Sequence, residues 1–131
     1  MRGLLLMGFI VFTGPLWADD FQDGMAAAQK GHYREAFTVW WPLARYGDPD
    51  AQHNLGVLYD FGLGVDRDAR SAVIWYKRAA IQGHPEAQNN LGMMYFYGQG
   101  VNKDLGLARI WLNKAAANES SMAMRNLGKL K

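Results

Sequence analysis

Two stretches of this chain have nearly the same sequence. Residues 51–65 read "AQHNLGVLYDFGLGV", and residues 87–101 read "AQNNLGMMYFYGQGV". When Gly47 is paired with Gly83, a period of 36 residues, nearly half of the positions in the two blocks match without a gap. Repeats of this length are typical of solenoids, in which each unit must stack on its neighbours to bury its apolar face. The duplication therefore restricts the fold more than any other feature of the chain.

Each repeat is predicted to form two helices. The first begins after Asp48, which can cap the helix, with Pro49 at the first helical position, and it ends at Gly62. The second begins after Asp68 and is closed by Gly83 as a left-handed cap. Apolar residues recur at helical spacing along both segments: Ala51, Leu55, Leu58 and Tyr59, and then Ala72, Trp75, Tyr76, Ala79 and Ala80.

The prediction is an all-α chain, an α/α solenoid of stacked two-helix repeats. Its full repeats span residues 47–82 and 83–118. A third copy begins at Glu119 and stops after one helix, so residues 119–131 are predicted to be a C-terminal capping helix. Residues 19–46 resemble a shorter first unit, with Trp40 and Trp41 in its second helix. Adjacent residues point to different faces of a helix, so one of these tryptophans is expected to be partly exposed.

Glycine and asparagine recur inside the first helices, where both are poor helix formers. Gly56 and Gly92 indicate that the paired helix approaches closely, and the alanine pairs at 79–80 and 115–116 are expected to face them. Asn54 and Asn90 are expected to hydrogen-bond backbone groups between units.

The repeated residues resemble the Sel-1-like repeat, a relative of the tetratricopeptide repeat. The resemblance rests on "A-x-x-N-L-G-x-x-Y-x-x-G-x-G-V-x-x-D-x-x-x-A-x-x-W" followed by "A-A", which fits residues 51–80 and 87–116. It implies an α/α solenoid used mainly for protein–protein contact, with the first helix of each unit lining a groove. Many exported bacterial members carry cysteine pairs, whereas this chain has no cysteine, which separates it from that branch.

On this resemblance, the partner would contact first-helix residues that the core does not use and that differ between copies. The predicted partner-binding residues are His53, Val57, Asp60, Asn89, Met93, Phe96, Arg125 and Lys129. The same positions could instead be a solvated surface that has drifted in sequence.

The N-terminus has the layout of a secretory signal peptide. Arg2 precedes an apolar run from Leu4 to Phe12, and Ala18 lies before two aspartates. Residues 1–18 are thus predicted to be removed after Ala18, which would leave a periplasmic or secreted protein without membrane insertion. An uncleaved interfacial N-terminus is the alternative.

Catalytic signals are weak, and the chain is predicted not to be an enzyme, with no cofactor and no metal. His32, His53 and His84 each lack an acidic or histidine partner four residues on. No nucleophile elbow or phosphate-binding loop is present. The net charge is only +2 and the basic residues are scattered, which disfavours nucleic acid as a partner.

Three functions remain open at this stage. The first is an exported adaptor or scaffold that binds another protein in its groove. The second is an inhibitor or immunity-type protein that neutralises an exported toxin or enzyme. The third is a cell-wall or glycan binder that uses aromatic side chains as stacking platforms: Trp40, Trp41, Tyr95 and Tyr97.

Overall fold

The computed structural model describes residues 18–131, and the predicted signal peptide lies almost entirely outside them. Within this part the chain forms seven α-helices and a final 3-10 turn, so the predicted all-α fold is confirmed. In chain order the elements are α1 (Ala18–Gln29), α2 (Tyr33–Arg45), α3 (Pro49–Phe61), α4 (Ala69–Ile81), α5 (Pro85–Tyr97), α6 (Leu105–Ala117), α7 (Ser121–Leu127) and the turn Gly128–Leu130.

The helices stack in sequence order. Each α-helix packs against the one before and the one after it, and α5 also contacts α7. We call α1, α3, α5 and α7 the A helices, and α2, α4 and α6 the B helices. Within residues 18–131, no helix is long and apolar enough to cross a membrane.

Side-chain caps begin the helices where the sequence predicts them. Asp48 Oδ1 accepts a hydrogen bond from the Ala51 backbone N–H at 2.8 Å. Asp68, Asp104 and Ser120 cap α4, α6 and α7 in the same way. Capping satisfies backbone donors that a helix leaves free at its first turn, which fixes where each helix starts.

A glycine in each A helix lies beneath a large side chain of the following B helix. A Cβ atom on Gly56 would lie 2.5 Å from the Tyr76 ring, and one on Gly92 would lie 2.9 Å from Leu112 Cγ. The expected close approach is therefore present, but the expectation that alanine pairs face the glycines is wrong. The side chains one turn earlier on the B helix cover the glycine, and Ala79 is buried within the core instead.

The last glycine of the repeated phrase joins one unit to the unit before it. Gly64 and Gly100 adopt left-handed φ angles of 70° and 68°. A Cβ on Gly64 would lie 2.5 Å from the Arg34 backbone nitrogen, and one on Gly100 would collide with the Ala69 carbonyl. Both positions therefore need glycine for conformation and for space, and each loop docks on the start of the preceding B helix.

Tryptophans on the B helices pack back against the preceding unit. Trp75 belongs to the core cluster of α1, α2 and α3, and its ring lies edge-on to Trp41 at 5.5 Å. Trp111 packs against the next cluster, built from α4 and α5. As expected for adjacent residues, Trp40 is buried, at 3 % exposed, while Trp41 is 36 % exposed. The core is thus continuous between units rather than contained in each.

Candidate protein-interaction surface

A row of polar side chains crosses the A helices from one unit to the next. Asn54 Nδ2 on α3 donates to Met25 Sδ on α1 at 3.7 Å. His53 lies beside Asn54 and accepts at Nε2 from Asn90 Nδ2 of α5, at 3.3 Å. Because each bond joins neighbouring units, the row fixes how the A helices lie against each other.

The row continues from α5 to α7. Asn89 Nδ2 donates to Asn90 Oδ1 at 3.2 Å, and Asn126 Nδ2 donates to Asn89 Oδ1 at 2.8 Å. We call these linked side chains the polar row: Asn54, His53, Asn90, Asn89 and Asn126. The expectation that Asn54 and Asn90 bind backbone is wrong, because their amides meet side chains of the adjacent A helices.

Glutamines make the backbone contacts between units. Gln52 Nε2 donates to the Ala44 carbonyl at 3.1 Å, and Gln88 Nε2 donates to the Ala80 carbonyl at 3.0 Å. Gln82 Nε2 then donates to Gln52 Oε1. A buried amide with both ends satisfied costs little to desolvate and fixes the join between units.

His53 lies at the join between α3 and α5, stacked on His84 with ring centroids 4.6 Å apart. His84 Nδ1 accepts from the Ala87 backbone N–H at 3.2 Å, and its Nε2 lies 3.1 Å from Asp50 Oδ1. Burial, with a smaller contribution from the neighbouring His84, lowers the pKa of His53 to about 4. His53 is therefore neutral at pH 7, as its acceptor role toward Asn90 requires.

The two repeats differ in one pair of facing residues. Tyr76 donates its hydroxyl to Asp60 Oδ2 at 3.2 Å. Burial, followed by the charge of Asp60, raises the pKa of Tyr76 above its usual range. One period later these positions are Leu112 and Phe96. A polar pair has been replaced by an apolar one, so the surface of α5 is apolar at this position.

The eight predicted partner-binding residues separate into two groups. Asn89 is only 1 % exposed, so the expectation that the core leaves it free is wrong: the polar row requires its amide. His53 and Asp60 are half-buried and already hydrogen-bonded. Val57 and Met93 are half-buried against the core clusters.

The accessible group lies toward the C-terminal end. Phe96 is half-buried and lies edge-on to Tyr97 at 4.9 Å, and Tyr97 is 56 % exposed. Arg125 and Lys129 are exposed. Sequence reasoning did not assign Tyr97 to the groove, although its position directly after Phe96 at the end of the helix was the available signal.

The aromatic residues suggested for stacking on sugars do not form one surface. Trp40 is buried, and its Nε1 donates to the Phe21 carbonyl at 3.2 Å. Tyr95 packs against the second core cluster. Trp41 stacks on Phe37 at 5.5 Å. A buried ring cannot stack on a ligand, so Trp40 is excluded from such a platform.

Three of the cavities formed by the described residues are lined by none of the eight predicted partner-binding residues. Volumes of about 620 and 560 Å³ lie beside the loops that contain Gly100 and Gly64, and one of 240 Å³ lies beside Trp41. Residues 18–131 contain no group of three or more His, Asp or Glu side chains placed to hold a metal ion. These three cavities therefore do not coincide with the predicted partner-binding residues.

Stacked helix pairs, joined by loops and side-chain bonds between units, define an α/α repeat scaffold. The Sel1 repeat family matches residues 49–84 and 85–120, and the chain belongs to this family. Sel1 repeat proteins are protein-interaction scaffolds. The match covers both full repeats but not the less regular first unit.

Solved structures agree with this assignment. A protective antigen present in uropathogenic Escherichia coli strains, which displays an SLR fold, is 34 % identical with a TM-score of 0.81 over 87 % of this chain and 25 % of its own. A Sel1 repeat protein from Oxalobacter formigenes is 36 % identical, with a TM-score of 0.79 over 84 % of this chain and 45 % of its own. This chain thus spans less than half of either relative. Helicobacter pylori cysteine rich protein B shares the fold, with a TM-score of 0.66 at 20 % identity over 85 % of this chain and 96 % of its own.

Proposed function

We propose that this protein is an exported, non-enzymatic adaptor that binds another protein on the face of its A helices. The membership of the Sel1 repeat family supports the coarser part of this function, an interaction scaffold. The finer part of the function comprises the residues that contact the partner and the location of the protein in the cell.

One observation carries the choice of surface. The polar row uses His53 and Asn89 internally, yet it leaves Phe96 partly exposed beside the exposed Tyr97. The hydrogen bonds of the polar row hold the A helices in place, so an aromatic pair on them is already ordered before the partner binds. Binding then costs little entropy, which favours a hot spot at this pair. Met93 lies one turn earlier on α5 and extends the apolar surface.

The charge near this surface indicates the chemistry of the partner. Arg125 and Lys129 are exposed and lie one period after Asn89 and Met93. The partner is expected to place an apolar side chain against Phe96, with an acidic group toward α7. The layout of residues 1–18 supports export to the periplasm or beyond.

The test begins with capture of the partner from the native cell envelope and continues with calorimetric titration of that partner. Phe96→Ala is expected to weaken binding by about 2 kcal/mol or more, roughly thirtyfold, because truncated aromatic anchors cost this much. His32→Ala is the matched control, since the His32 side chain is 61 % exposed and far from α5 in sequence. Equal affinities for the two variants would contradict the proposed surface.

Export is tested separately by mass measurement of the protein from the envelope fraction. A chain that begins at Asp19 is expected. Intact Met1 in the cytosol would contradict export while leaving the interaction surface untouched.

A further inference from the structure

The charged residues of the B helices are almost all basic. α2, α4 and α6 contain one acidic residue, Glu35, and seven exposed basic residues: Arg34, Arg45, Arg70, Lys77, Arg78, Arg109 and Lys114. The A helices α1, α3 and α5 contain no basic residue, and six acidic ones: Asp19, Asp20, Asp23, Asp50, Asp60 and Glu86. Basic residues that look scattered along the sequence are therefore gathered on one layer of helices.

The exposed residues of α4 form one stripe that mixes positive charge with apolar surface. They recur at helical spacing along the helix and are Arg70, Ile74, Lys77, Arg78 and Ile81. The two isoleucines are 52 % and 68 % exposed. The other side of α4 is buried against α3 and α5, so this stripe is the outer side of the helix.

The same positions are exposed one period earlier on α2 and one period later on α6. On α2 they are Arg34, Thr38, Trp41, Pro42 and Arg45, and on α6 they are Gly106, Ile110, Asn113, Lys114 and Ala117. We call these three stripes the B-helix face. None of its positions is acidic.

Two tryptophans join the stripes of neighbouring B helices. Trp41 of α2 lies edge-on to Trp75 of α4 at 5.5 Å, and the Arg78 guanidinium lies over the same Trp75 ring at 4.6 Å. Trp111 of α6 packs against the cluster built from α4 and α5, and the Lys114 ammonium lies 4.8 Å from its ring centroid. The B-helix face is therefore one surface that extends over three helices.

The positive charge of this face is not neutralised within the described part of the chain. Among residues 20–131, no Arg or Lys of the B helices lies within 4 Å of a carboxylate, and Glu35 lies 3.6 Å from His32 instead. Arg109 is bound to a neutral group, the Leu130 carbonyl, at 3.1 Å. The cations are therefore available to an external anion.

The mixture of cations and isoleucines selects the kind of anionic partner. At an anionic membrane, long basic side chains reach the lipid phosphates while apolar side chains enter the boundary between head groups and acyl chains. A nucleic acid would bind the cations through its phosphates but would leave Ile74 and Ile110 in water. The core of a protein interface is depleted of lysine. A membrane surface accounts for both kinds of residue.

We infer that the B-helix face binds the surface of an anionic membrane, with its basic residues on the lipid phosphates and Ile74, Ile81 and Ile110 below the head groups. Clusters of four to eight basic residues are typical of such binding. Binding at the surface needs no membrane-spanning helix. It leaves the A helices on the side away from the lipid, where they can still contact a protein. The inference concerns a different face from the proposed partner site and goes beyond that function.

The probe is a vesicle of phosphatidylcholine and phosphatidylglycerol, and binding of the protein purified from the envelope fraction is measured by co-sedimentation. The protein is expected to bind these vesicles, to bind phosphatidylcholine vesicles at least about tenfold more weakly, and to be released as the salt concentration rises. All variants have the same N-terminus, so differences between them do not come from residues 1–18.

A charge variant locates the face. Lys77→Gln combined with Arg78→Gln is expected to weaken binding to the anionic vesicles at least about tenfold, since each basic residue contributes about fivefold. The matched control is Gln22→Glu combined with Ala26→Glu, which changes the net charge by the same amount at exposed positions of α1. It is expected to weaken binding about twofold or less.

An uncharged variant separates the membrane from other polyanions. Ile74→Ser combined with Ile110→Ser keeps every charge, and it is expected to weaken vesicle binding at least about fivefold while circular dichroism shows an unchanged fold. Undiminished binding of this variant overturns the inference, because the face would then be a general site for acidic polymers. Absence of binding to the anionic vesicles, or equal losses in the charge variant and its control, also overturns it.

Discussion

The inner repeats and the C-terminal copy contain the same Asn-Leu-Gly sequence in different surroundings. In α5 this sequence ends at Gly92, buried beneath Leu112. In α7 it ends at Gly128, which is exposed, and among residues 18–131 no side chain beyond its neighbours comes within 4 Å of a Cβ built there. The difference shows that the Asn-Leu-Gly sequence prepares a helix surface for stacking. It specifies a helix that can receive a neighbour, and the neighbour decides whether the position is core or surface.

The largest expected effect separates these two glycines. Gly92→Leu forces four carbon atoms against Leu112 and the Ala108 carbonyl, and it should lower the free energy of unfolding by about 2–3 kcal/mol. Gly128→Leu should change it by less than about 0.5 kcal/mol, because the space is open. Urea unfolding of both variants gives the comparison, and equal losses would contradict it.

A second comparison uses equivalent polar positions. Asn89→Leu leaves the half-buried Asn126 amide without its acceptor, and it should cost about 1–3 kcal/mol. Arg125→Leu, one period later on an exposed surface, should cost less than about 0.5 kcal/mol. Thermal unfolding distinguishes them. A harmless Asn89→Leu substitution would show that the polar row does not stabilise the stack.

The third comparison is between His53 and Asn89, equivalent positions in the two full repeats, and it uses pH. The pKa of His53 in the folded protein is about 4, below the value of 6.5 expected when the chain unfolds. The unfolded chain therefore binds more protons between these values. The contribution of His53 to stability is complete above pH 6.5 and is lost as the pH falls through 4.

Urea unfolding at pH 6.5 and pH 4 should show a loss of about 2–3 kcal/mol from this group. His53→Asn, which copies the residue at position 89, should show a smaller loss over the same range. If both proteins lose the same stability, His53 is not the group that titrates.

The smallest expected effect concerns the position that follows a B helix, which is Gly83 after α4 and Glu119 after α6. Gly83 has a left-handed φ of 92°, and one period later Glu119 adopts φ 68°. A side chain in this conformation is strained by about 1 kcal/mol. Glu119→Gly should therefore raise the free energy of unfolding by about 0.5–1 kcal/mol, while Gly83→Glu should lower it by about 1 kcal/mol. Melting temperatures that move in the same direction for both would contradict this.

The sequence predicted the features that depend on local chemistry. The 36-residue period, the caps at Asp48 and Asp68, and the close approach at Gly56 and Gly92 all follow from residues within one unit. The sequence alone therefore predicts the two-helix repeat and the all-α class.

What could not be predicted depends on contacts between units. Asn89 looks like a surface residue until Asn126, 37 residues later, is placed against it. Tyr76 and Ala79 lie about one helical turn apart on α4. Which of them covers Gly56 depends on how far α4 is shifted along its axis, and periodicity alone does not fix that shift. Of the predicted partner-binding residues, Arg125 and Lys129 are exposed and Phe96 is half-buried, and their contact with a partner stays a prediction.

Native-state hydrogen exchange of the unchanged protein tests the central claim most directly, that a repeat is completed by the helix that covers its glycine. The Gly92 amide should exchange only through global unfolding, because α5 is enclosed by its neighbours. The Gly128 amide donates to the Arg125 carbonyl, yet it should exchange at least about a hundredfold faster, through local opening of α7. Equal protection of the two amides would contradict the account, because a glycine without a covering side chain would then be as well protected as a covered one.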